Sequence, residues 1–149
     1  IIRFFIAQKE GHLEITDSGE ESDTRTLTNT ADFAEMNARL AALLPERYVQ
    51  TENEISSKGN TVVTYMNSAG KTAIFSASFQ QKKFHFDTEG ASSVERMTIG
   101  TYEAILVEKN GYRLAWFDAE NKLLYQLISD DLSREELIII INNLLKLQN

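Results

Sequence analysis

Apolar residues recur along this chain with two periods, and the changes between them mark the elements. Phe33, Met36, Leu40 and Leu43 follow one another at three- and four-residue steps behind Thr30, and Pro45 closes the run. That spacing predicts a helix with Thr30 as its N-cap, because residues three and four apart share a helix face. Positions 60–67 and 71–79 are instead rich in β-branched and aromatic residues, with Ser68-Ala69-Gly70 between them. They predict an antiparallel hairpin, and Phe84-His85-Phe86 adds a short edge run.

The sharpest turn signal is Asn110-Gly111, between apolar runs at 102–109 and 112–118. A two-residue type I′ turn needs positive φ at both central positions, which Asn-Gly supplies. It would set Lys109 opposite Tyr112, Val107 opposite Leu114, Leu106 opposite Ala115 and Ile105 opposite Trp116. Both faces of this hairpin are apolar, so it should be central and covered twice, with the two helices as covers. After Ala119-Glu120-Asn121, the run at 122–129 extends the meander.

The last segment carries a capping box, Ser133 with Glu136, flanked by Leu132 and Leu137 at the hydrophobic-staple positions. Without it, 138–141 would read as a buried strand; with it, and with Leu144, Leu145 and Leu147 beyond, the segment is a helix with a wide apolar face. Two stretches stay open. The start, 1–6, fits a strand, a helix start or the end of a removed anchor, and 16–30 reads as a polar, flexible loop. The fold class is therefore α+β: an antiparallel meander sheet packed with a helix in the N-terminal half and a capped apolar C-terminal helix, all in one domain over 1–149.

Composition narrows the function. A formal charge of −7 and a pI near 4.9 oppose the counterion release that drives nucleic-acid binding, and Lys82-Lys83 is the only basic cluster, so no nucleic-acid partner is expected. The absence of cysteine removes thiol catalysis, disulfides and thiolate metal sites. No apolar run reaches the roughly 18 residues of a membrane span. The chain begins at Ile1 rather than Met, which leads us to expect an upstream segment, and any membrane association would run through an anchor there.

Candidate chemistry is sparse. His85 and Asp87 alternate with Phe84 and Phe86 and could form a metal or acid/base pair, but with His12 far away in sequence a solvated strand face is favoured. Asp130, Asp131, Glu135 and Glu136 lack the alternating oxygens and central glycine of a calcium loop and suit a helix N-terminus. Gly90-Ala91-Ser92-Ser93 lacks the second glycine of a nucleophile elbow. No glycine spacing cradles phosphate, so no catalytic residue, metal or cofactor is assigned. Tyr112, Trp116, Tyr125 and Leu144 remain as a candidate ligand or partner surface, with the core as the competing place for them.

An ordered set of short motifs resembles the domain of unknown function 4367. It comprises Leu44-Pro45 with Tyr48, Gly59-Asn60 with Val62, Tyr65-Met66-Asn67, Gly70-Lys71, Phe75, Tyr102-Glu103, Tyr112, Trp116, Tyr125, and Leu132-Ser133-Arg134-Glu135-Glu136-Leu137. The resemblance spans about 44–147. It implies an extracytoplasmic domain of a Gram-positive, membrane-anchored protein, often of the anti-sigma-factor kind, with no catalytic residues to carry over. The expected function is thus a non-catalytic sensor or interaction domain meeting a protein or small ligand. A small-ligand or lipid carrier is the alternative, and a hydrolase built on His85, Asp87 and Ser93 comes third.

Overall fold

A computed structural model describes residues 4–9, 12–17, 30–55, 61–79, 83–118 and 123–146, and for β1, β2 and β6 it describes the backbone. The elements run β1 (Phe4–Lys9), β2 (His12–Asp17), α1 (Thr30–Leu43), β3 (Val49–Ile55), β4 (Thr61–Met66), β5 (Thr72–Phe79) and β6 (Lys83–Asp87). They continue β7 (Ser93–Ile99), β8 (Tyr102–Glu108), β9 (Tyr112–Asp118), β10 (Leu123–Ser129) and α2 (Arg134–Lys146). The start of the chain is therefore a strand from Phe4. Of the expected flexible loop, 18–29 lies outside the described residues, while Thr16 and Asp17 end β2 and Thr30 opens α1.

Seven strands form one antiparallel sheet in the order β3-β4-β5-β10-β9-β8-β7, and β1-β2-β6 form a second, three-stranded sheet. The expected meander β8-β9-β10 is present, but β10 also pairs with β5 along its whole length, Leu123 opposite Phe79 through Ser129 opposite Ala73. The last strand thus occupies the centre of the sheet and joins two halves that the chain builds separately.

Both helices lie on one face, which corrects the expectation that each covers a different side. Phe33, Met36, Leu40 and Leu44 share one buried cluster with Leu137, Ile140, Ile141, Leu144 and Leu145. Width explains it. Seven strands at about 4.8 Å make a surface about 29 Å across, and one helix about 10–12 Å in diameter covers only a third of that. A second cluster, Ile105, Val107, Ala115, Phe117 and Leu124, with Ala91 and Val94 against it, occupies the opposite face.

The capping box forms as the sequence predicts. The Ser133 N–H donates to Glu136 Oε1 at 3.1 Å, and the Glu136 N–H donates to Ser133 Oγ at 3.1 Å. Next to it, Arg134 ties the start of α2 to the edge strand β7 through two bonds to Glu95, at 2.9 and 3.0 Å.

The Asn110-Gly111 turn differs from its expected form by one residue. Tyr112 pairs with Glu108, Leu114 with Leu106, Ala115 with Ile105 and Trp116 with Ala104, so three residues span the turn. Positive φ is retained at both Asn110 (53°) and Gly111 (114°). Packing decides the register. Ala104, Leu106, Leu114 and Trp116 all belong to the helix-side cluster, and Ile105, Val107, Ala115 and Phe117 to the other. A slip of one residue would turn one strand's set onto the wrong face. It would also replace the small Ala104 opposite Trp116 by Ile105.

Candidate functional site

The polar residues of the domain converge at the end of the sheet where α1 stops and α2 begins. Asp131, in the link from β10 to α2, is the hub. Its Oδ2 accepts from the Tyr48 hydroxyl at 3.0 Å, Asn67 Nδ2 at 3.2 Å and Arg47 Nε at 3.4 Å. These donors come from two other loops, the one that Pro45 opens after α1 and the β4-β5 turn. Asp130 completes the arrangement by accepting the Thr72 N–H at 2.8 Å, while Ser129 Oγ donates to the Thr72 carbonyl and accepts the Asp131 and Leu132 N–H groups. Arg47 also reaches Glu136 at 3.5 Å. Burial lifts the Tyr48 phenol above its ordinary range; Ser129 opposes this and the hydrogen bond to Asp131 adds to it.

Three loops far apart in the chain are thereby fastened to one carboxylate. Asp130 and Asp131 were expected to complement a helix N-terminus with Glu135 and Glu136; instead they hold loops together, and only Glu135 and Glu136 lie in the first turn of α2. Nothing in the local spacing identifies Asp131 as the hub, because its partners lie more than sixty residues away. Much of the motif set converges here: Leu44, Pro45, Tyr48, Asn67, Gly70 and the 132–137 stretch. Gly59 and Asn60 lie outside the described residues.

The candidate ligand or partner surface is distributed differently. Trp116 and Leu144 have no exposed area, Tyr125 is 3% exposed, and all three belong to the core cluster, with Tyr112 half-buried at its margin. They therefore form no outer face. Trp116 and Tyr125 are opposed on β9 and β10 and stack at 5.4 Å, each also lying 6.0 Å from Phe75, on which Phe33 of α1 stacks at 5.0 Å. Among the described residues, two polar atoms of the apolar layer have no hydrogen-bond partner, Trp116 Nε1 and Thr61 Oγ1. Both sit on one transverse row, Thr61-Ala77-Tyr125-Trp116, at the end of the sheet opposite Asp131.

Ser93 is the first residue of β7, half-buried and opposite Glu108. The side chains of His85 and Asp87 lie outside the described set; their backbones belong to β6. Among residues with described side chains, no three His, Asp or Glu groups come together.

Architecture and polar hub together define an antiparallel-sheet domain with a two-helix cover, locked at one end by a carboxylate. A family profile described as Domain of unknown function (DUF4367) matches residues 41–144. The chain belongs to this family, as its motifs indicated. No curated protein and no solved structure matches the chain.

Proposed function

We propose that this chain is a non-catalytic, extracytoplasmic sensor or interaction domain of a membrane-tethered protein. The observation that carries this reading is the use made of the polar cluster. Its central carboxylate takes three donors on one oxygen, Oδ2, and these bonds fix loops, as a binding scaffold requires. The extracytoplasmic setting and the tether are part of the proposal, and the family resemblance supports them. Protease treatment of intact cells making the native full-length protein tests the location. We expect this domain to be digested without lysis; protection until the membrane is opened would overturn the placement.

A second reading, a carrier of a small apolar ligand, is favoured by the two unpartnered polar atoms on the helix-side layer. A buried donor without an acceptor costs about 1–3 kcal/mol, which an oxygen-bearing amphiphile could offset. Trp116 is the only tryptophan, so its emission reports on this layer alone. Titration with 1-lauroylglycerol below its aggregation concentration should change that emission saturably. Thr61→Val should raise Tm while weakening binding about tenfold. An emission unmoved by the probe, or an unchanged affinity in Thr61→Val, would eliminate the carrier.

A further inference from the structure

We propose that His12, Glu14, His85 and Asp87, brought to adjacent register positions on one face of the three-stranded sheet, form a binding site for a divalent transition-metal ion of the Zn2+ type. The β2-β6 pairing places His12 opposite Asp87 and Glu14 opposite His85. Residues two apart on a strand share a face, and directly opposed residues share it too. The four positions therefore make a compact block of two histidines and two carboxylates. The chain has only two histidines, far apart in sequence, and the fold brings both into this block.

The spacing suits one ion. Opposed positions on a sheet have Cβ atoms about 4.5–5.5 Å apart and diagonal ones about 7–8 Å, a spacing on the scale of one ion's ligand sphere, whose bonds are about 2.0–2.2 Å. Two imidazoles with carboxylate oxygens suit Zn2+ and its borderline neighbours; Ca2+ and Mg2+ prefer oxygen alone. The other face is mainly apolar, with Phe4, Ile6, Leu13, Ile15, Phe84 and Phe86 at its positions beside Gln8 and Asp17, while the histidine side also takes Phe5, opposite Thr16. On the histidine side, β1 places Lys9 beside His12 and Ala7 beside Glu14, and Lys83 stands opposite Thr16. The competing account is thus a ladder of ion pairs among these lysines, acids and histidines. An ion held here would fasten the N-terminal hairpin to β6.

Calorimetric titration of the metal-stripped 149-residue chain with ZnCl2, alongside 15N spectra of its two imidazoles, separates the accounts. We expect uptake of one ion per chain, movement of both imidazole signals, and a rise in Tm, because the ion binds only the folded sheet. His12→Ala and His85→Ala should each weaken binding at least tenfold. Affinity should fall as pH drops below about 6.5, where imidazoles take up protons. No saturable uptake, or uptake that leaves either imidazole unmoved, would overturn the site. The spectra of the unaltered chain decide the question even where a variant fails to fold. The location of the domain plays no part in this outcome.

Discussion

Replacing Gly111 with alanine should destabilise the domain by about 3 kcal/mol, combining backbone strain with overpacking. Two independent obstacles meet at this residue. Its φ of 114° lies where a side chain is rarely tolerated, and a Cβ would stand 2.3 Å from the Ser129 carbonyl oxygen and 2.7 Å from the Asp130 Cα. Both neighbours are backbone, and both belong to the strand end that carries Asp130 and Asp131, so relief of the clash would have to move the polar hub. Gly70 is the natural control. Its φ is 79°, but a Cβ there meets nothing within 4 Å, so alanine costs only the conformational part, about 1 kcal/mol. Urea unfolding of both variants should show a much larger fall in midpoint for Gly111→Ala at unchanged slope. Equal falls would mean that the turn does not press on β10.

The same glycine shows where sequence reading stops. Asn110-Gly111 announces a turn, and positive φ at both residues follows from local chemistry. The register does not, because it is settled by which side chains can face the helices: Trp116 fits opposite Ala104, and that is a property of the assembled core. The α2 capping box was legible in full, since Ser133 and Glu136 satisfy each other within one turn. The insertion of β10 between β5 and β9 and the shared helix face depend on sheet width and long-range pairing, which leave no local trace. Site residues follow the same division. Trp116, Tyr125 and Leu144 were recognisable as important apolar residues, yet burial rather than exposure is their common feature. Asp131 and the pairing of His12 with Asp87 became visible only once distant strands were joined.

Asp131→Ala should cost about 2 kcal/mol, because it removes the acceptor shared by three donors and leaves the Tyr48 hydroxyl without it. The Arg47 contact contributes little of this: the pair is long, at 3.4 Å, and the Arg47 side chain is 42% exposed, so solvent screens it. Tyr48, only 8% exposed, carries more. Tyr48→Phe should cost about 1 kcal/mol. The double variant should fall short of the sum of the two, since both changes delete the same bond. An additive double variant would mean that Asp131 acts through Asn67 and Arg47 instead. An alkaline titration gives an independent check of sign. The phenol of Tyr48 is raised in the folded protein, so its contribution is complete below its unfolded value near 10.0 and declines as pH rises through the folded one. Wild-type stability should therefore drop across that alkaline range, and Tyr48→Phe should flatten the drop. If the two proteins lost stability in parallel, the burial of this hydroxyl against Asp131 would not be what fastens the loop after α1 to the start of α2.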